Sequence, residues 1–154
     1  MIPCGLGARN TLRLEAAMPL YGHEISEETN VFEAGLERFL KLDKENFVGA
    51  KALREIAGSG VKRKLAGLEM VGRGIAREDY RVLDREGHEI GVVTSGSPAP
   101  FLKKNIALAY LPTDLTSAGT EVAVQVRGNP VDARVTPIPF YRRPSKRTES
   151  GTKP

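Results

Sequence analysis

EVAVQVRGNPVDARV, residues 121–135, is the stretch whose pattern decides the fold. Val122, Val124 and Val126 fall on one side of an extended chain and Gln125 and Arg127 on the other. That period-two alternation belongs to a strand with one buried face. Gly128-Asn129 supplies turn chemistry, and Val131, Ala133 and Val135 then alternate again, so the segment reads as a β-hairpin. Further out, Ile106, Leu108 and Tyr110 mark an apolar strand before Pro112, and residues 81–93 read as two strands about Glu86-Gly87. Thr94, Ser95 and Gly96, followed by Pro98 and Pro100, read as a compact loop whose hydroxyls serve either a ligand or the turn itself. Roughly five to seven short strands over residues 61–141 imply a small β-barrel or a sandwich.

The first 60 residues have a different texture. Gly5 and Gly7 form a tight turn, and Ala8 to Ala17 then holds no Pro and no Gly, which predicts a short helix. Arg9 and Arg13 are four apart and share one helix face, while Leu12 and Ala16 share another. A guanidinium in the first turn opposes the helix dipole, the pattern expected of an arginine held for a ligand. A second helix is expected after Asn46 as N-cap, with Leu53, Ile56 and Ala57 on one face and Gly58 beyond its end. The Gly-Ser-Gly at 58–60 marks a boundary.

Composition is that of an ordinary globular chain: 154 residues, 40% hydrophobic and 27% charged. The net charge of +4 comes entirely from residues 142–154, which hold five basic residues and one acid. The remainder is balanced, so the charge describes a solvated tail and not a nucleic-acid face. Cys4 stands alone, which excludes an intrachain disulfide and fits a reducing, cytoplasmic setting. No apolar run reaches the roughly 20 residues that span a bilayer, and no secretory signal is expected. Two histidines and one cysteine show no zinc-site spacing. Gly72-Arg73-Gly74 lacks the spacing and the following helix of a dinucleotide fingerprint. Tyr21 and His23 flank Gly22 in a turn, where His23 beside Glu24 reads as a surface histidine. Asp43 and Asp79 read as solvated carboxylates.

PCGLGARNTLRLEAAMPLYGHE (3–24) resembles the central signature of the aminomethyltransferase family, the tetrahydrofolate-dependent T-protein of the glycine cleavage system. EAGLERFLKLDKENFVGAKAL (33–53) is similar to that family's next block, a strand followed by a helix. GVVTSGSPAPFLKKNIALAYL (91–111) and RGNPVDARVTPIPFYRR (127–143) resemble its later blocks, in the family's order. The resemblance covers roughly residues 2 to 143 and begins with the middle of the family's much longer chains. It implies an α+β fold: a partial α/β folate-binding region over residues 1–60, a carboxy-terminal β-barrel of jelly-roll type over 61–143, and a disordered basic tail over 144–154. It also implies apolar faces and sheet edges left uncovered in the first 60 residues.

The reaction implied is one-carbon transfer from an aminomethyl-lipoyl carrier protein, the H protein, to tetrahydrofolate with release of ammonia. Arg9 matches the family's folate-contacting arginine, and Tyr141 and Arg142 match an end that folds back near the folate pocket. Arg13 and Glu15 also match and read as a structural pair fixing the helix to its neighbours. Asn10 stands where the family usually has Asp, and Ala17 where it usually has Gly. The family's catalytic aspartate and a folate-contacting glutamate lie in the amino-terminal half and find no counterpart, so no catalytic or metal-binding residue is expected. The expectation is a chain inactive alone and complemented by an amino-terminal chain. The alternative is a non-catalytic folate-binding or protein-interaction module derived from the family.

Overall fold

KNIALAYLP, Lys104–Pro112, is one long strand whose two faces are both covered. Ala107, Ala109 and Leu111 point to one side, and Ile106, Leu108 and Tyr110 to the other. In the computed structural model, which describes residues 2–143, this strand sits inside a closed six-stranded antiparallel barrel. The strands are β1 (Arg63–Met70), β2 (Arg81–Leu83), β3 (Glu89–Ala99), β4 (Lys104–Pro112), β5 (Glu121–Val126) and β6 (Asn129–Thr136). Their order around the barrel is β1-β4-β3-β2-β5-β6, and β6 returns to β1. The connections from β1 to β2 and from β4 to β5 pass over intervening strands, the crossing connectivity expected of a jelly-roll-like barrel.

Inward side chains fill the barrel: Leu68, Val82, Val93, Leu111, Val124 and Val135 are all essentially inaccessible. Each fully buried aliphatic side chain stabilises by about 1.5–3 kcal/mol relative to exposure. The β5–β6 hairpin forms where the alternation places it, but its turn is Arg127-Gly128. Both residues have positive φ, at 52° and 89°, and Asn129 already pairs with Val126. Two-residue hairpin loops that match the strand twist require that geometry.

Three local expectations are corrected. Thr94, Ser95, Gly96 and Pro98 are strand, not loop, within β3 and beside a register shift between Val93 and Ser95. Gly96 is there for a close approach, since a Cβ would overlap the Ala76 carbonyl. Residues 33–44 hold turns and a 3₁₀ turn at Glu37–Phe39 instead of a strand. The second helix, α2 (Ala50–Ser59), begins after Gly49 and not Asn46, contains Gly58, and stops at Gly60 with φ of 74°. Among the described residues of the first 60 no strand exists to expose an edge; the one bridge joins Tyr21 to Ile25. The basic tail lies outside the described residues. No described helix is long and apolar enough to cross a membrane.

The first helix, α1 (Leu6–Glu15), lies outside the barrel with Leu14 against Ile106 and Leu108 of β4. It ends as a Schellman turn: Met18 N–H donates to the Arg13 carbonyl at 2.8 Å and Ala17 N–H to that of Leu14 at 2.9 Å. Ala17 adopts φ of 50°, the left-handed region where a Cβ is strained. Ala17→Gly is therefore expected to stabilise the chain by about 1 kcal/mol. Thermal unfolding checks this; a lower midpoint in the variant refutes the strain.

Candidate functional site

Leu14 fixes which way α1 faces, and that orientation sends Arg13 into the barrel wall and leaves Arg9 outside. Arg13 is 9% exposed and donates from all three nitrogens of its guanidinium. Its Nη1 donates to Glu24 Oε2 at 2.7 Å, its Nη2 to Ser95 Oγ at 2.8 Å, and its Nε to Asn10 Oδ1 at 2.8 Å. Glu24, fully buried, also accepts from the Leu20 N–H at 2.9 Å and from Thr94 Oγ1 at 2.8 Å. Tyr110 closes the cluster by donating its hydroxyl to the Glu24 carbonyl at 2.7 Å. The expected pairing of Arg13 with Glu15 is corrected: residues two apart on a helix diverge, and Glu24 is the partner. Asn10 keeps an acceptor where the resemblance implied a charge. The hydroxyls of Thr94 and Ser95 serve the Arg13–Glu24 pair.

Arg9 sits on the amino-terminal turns of α1, where residues 6–10 are all exposed. Leu6 and Leu12, three residues to either side of it on the helix, lie bare, and Ile2 ahead of the helix is exposed as well. Tyr141 comes to the other end of the helix, its N–H donating to the Glu15 carbonyl at 2.8 Å. Its ring meets Phe101 edge-on with centroids 5.0 Å apart. Arg142 follows, exposed. The fold thus sets Tyr141 and Arg142 at one end of α1 and Arg9 six residues away, about 9 Å along the axis. Among the described residues neither Arg9 nor Arg142 is in an ion pair.

His23 is not a free surface group: its Nδ1 lies 3.0 Å from Glu78 Oε1 and 3.1 Å from the Thr94 carbonyl. Asp43 and Asp79 are exposed. Counting histidines and cysteines missed one grouping, Asp84, Glu86 and His88, whose ligand atoms lie within 4.8 Å of one another on the β2–β3 turn. The turn explains it. The His88 N–H donates to Asp84, and with the His88 ring and the Glu86 N–H it holds that half-buried carboxyl below its ordinary range.

Burial pushes the Tyr110 phenol up to about 12 from 10.0, although the Arg63 guanidinium over its ring pulls the other way. The folded state then holds the proton more tightly than the unfolded chain. Stability contributed by this group is intact below pH 10 and falls as pH rises toward 12. Ultraviolet titration should show one of the four tyrosines ionising last; simultaneous ionisation of all four near pH 10 refutes the burial argument. For the buried pair, Glu24→Gln leaves Arg13 enclosed without a counter-charge and should cost about 3–5 kcal/mol. Urea denaturation checks it, and a loss under about 1 kcal/mol would mean the pair behaves as if exposed.

Comparison with known proteins places this geometry in a family. Residues 63–142 match the model of the glycine cleavage T-protein C-terminal barrel domain, and residues 1–44 match that of the GCVT N-terminal domain. An aminomethyltransferase of Acidobacterium capsulatum is 65% identical over 147 residues, which is 95% of this chain and 39% of that protein. One from Koribacter versatilis is 59% identical over 146 residues, 95% of this chain and 38% of that protein. The crystal structure of the glycine cleavage system aminomethyltransferase T from Bartonella henselae superposes with a TM-score of 0.85 at 36% identity, covering 89% of this chain and 39% of that one. The chain therefore spans about two fifths of the length of these relatives. With its six-stranded barrel and the helix seated on it, this chain belongs to the glycine cleavage T-protein family.

Proposed function

We propose that this chain supplies the carboxy-terminal part of an aminomethyltransferase and holds one side of a tetrahydrofolate. The observation that carries the reading is Arg9: an exposed guanidinium with no ion pair among the described residues, on a helix locked to the barrel by a buried pair. Such a group offers fork-shaped, charge-assisted hydrogen bonds to a carboxylate or carbonyl. Arg142 offers a second guanidinium and Tyr141 an aromatic edge, so the donor set fits a cofactor that combines a planar ring with carboxylates. Tetrahydrofolate, when bound, supplies the nitrogen that accepts the one-carbon unit. This chain's part is to hold and orient it, since a well-placed acceptor removes much of the entropic barrier to transfer.

The part of the relatives' length that this chain does not span supplies the carboxylate that orients the transfer, and the carrier is the lipoylated H protein. That remainder covers the bare face at Ile2, Leu6 and Leu12. The setting is the cytoplasm, in keeping with the single thiol Cys4. The bare apolar face also favours a second reading, a folate-binding or protein-interaction module without turnover.

Methylene-tetrahydrofolate formation from the aminomethyl-loaded carrier separates these readings. The chain alone should give none, and adding the remainder of the enzyme as a separate polypeptide should restore it; full turnover by the chain alone defeats the division of labour. Arg9→Ala should weaken tetrahydrofolate binding at least tenfold, about 1.4 kcal/mol, and an unchanged affinity removes Arg9 from the site.

A further inference from the structure

Where the β5–β6 hairpin turns, a cavity of about 530 Å³ opens between that hairpin and the connection from β1 to β2, residues 71–80. Arg73, Arg77 and Arg127 line it, and no carboxylate does. All three are exposed, and among the described residues none is in an ion pair. The other arginines of the barrel are treated differently. Arg63 pairs with Glu33, Arg81 with Glu89, and Arg85 and Arg134 both with Glu121. Acids and bases balance over residues 1–141, so the three unpaired guanidiniums are a local arrangement and not a general excess. Like charges gathered around one cavity repel one another in the empty fold, and folding stability does not account for them.

The cavity is built into the fold. A Cβ on Gly74 would stand 3.2 Å from Val131 Cγ1 and 3.4 Å from Val126 Cγ2, so the loop is pressed onto the hairpin. Asn105 Nδ2 donates to the Gly74 carbonyl at 2.9 Å and holds the same loop from β4. Ile75, Tyr80 and Val131 add apolar lining, and the volume is that of a small-molecule site. Guanidinium forks take phosphate oxygens. An inorganic anion alone has no use for the apolar lining, and an acidic protein surface has no need of a cavity; both features together fit an organic phosphate. We infer that this groove binds a small phosphorylated molecule, its phosphates on Arg73, Arg77 and Arg127 and its planar or apolar body against Tyr80, Ile75 and Val131. The groove is separate from Arg9: α1 rests on β4, and β5 lies three places from β4 in the six-strand ring. The inference therefore stands independently of the folate reading.

The test is calorimetric titration of the full 154-residue chain with adenosine diphosphate, which has charge and a planar body, and with inorganic pyrophosphate, which has charge alone. Adenosine diphosphate should bind, and pyrophosphate should bind more weakly. Arg73→Gln and Arg77→Gln should each weaken adenosine diphosphate about tenfold, the loss expected of one charge-assisted hydrogen bond. Arg85→Gln, at an exposed but paired arginine, should leave it unchanged. The inference is overturned if adenosine diphosphate does not bind, or binds no tighter than pyrophosphate. It is overturned equally if Arg85→Gln loses as much as Arg73→Gln, since that is general charge attraction. An equal loss in Arg9→Ala would put the ligand at α1 and also overturn it. A third probe, hexaglutamate, separates the remaining occupant: if it binds more tightly than adenosine diphosphate and loses affinity in the same two variants, the groove belongs to an acidic polypeptide and the inference falls.

Discussion

A strand buried on both faces has no solvent side, and every other element here is arranged to satisfy that condition at β4. Its inward alanines and Leu111 require a closed barrel around them, and its outward Ile106 and Leu108 require a helix on top. Tyr110, on the outward face, adds a polar anchor in its bond to the Glu24 carbonyl. That bond fixes the turn carrying Glu24, Glu24 fixes Arg13, and Arg13 fixes the roll of α1 about its axis. The exposure of Arg9 follows from this chain of dependence. A helix held by Leu14 alone could slide, whereas one also held by two guanidinium bonds to residues outside it cannot.

The strands were legible because their signal is local. Val122, Val124, Ala133 and Val135 alternate in the sequence, and they line the barrel. The segment from Thr94 to Pro98 was not legible, because Gly, Ser and Pro carry the same local signal in a turn and in a strand crowded by another backbone. What makes Gly96 necessary is the Ala76 carbonyl, twenty residues back and invisible to any window along the chain. The start of α2 failed for a related reason. Asn46 has the chemistry of a cap, but Gly49 in the left-handed region makes the turn into the helix.

The site divides along the same line. Arg9, Tyr141 and Arg142 came from the resemblance, and the fold distributes them along α1 and at its end. The partner of Arg13 could not be read from the chain, since Glu24 lies beyond a Schellman turn and a proline and no periodicity connects the two. Glu24 looked like half of a surface turn and is among the most enclosed residues. Glu15 looked like its rival for Arg13 and is instead the carboxylate without a partner among the described residues. Ala17 was marked only as a departure from the family's glycine; the backbone shows why glycine suits that place, a φ of 50°.

Closure of the barrel depends on β1, and β1 has no neighbour nearby in the chain. Leu68 pairs with Ala107 on one side and with Val135 on the other, while β3 with β4 and β5 with β6 are joined by short turns. Local hairpins close quickly and distant pairings slowly, because the loop entropy must be overcome before any contact forms. The pairing of β2 with β5, Val82 opposite Val124, is as distant as that of β1 with β4, so closure waits on both. Until both form, the strands concerned offer unpaired edges with apolar faces, the template on which chains stick to one another. The finished molecule has no open edge in its barrel. Its hazardous moment is the interval in refolding before those distant pairings form, and temperature and concentration during that interval govern the yield.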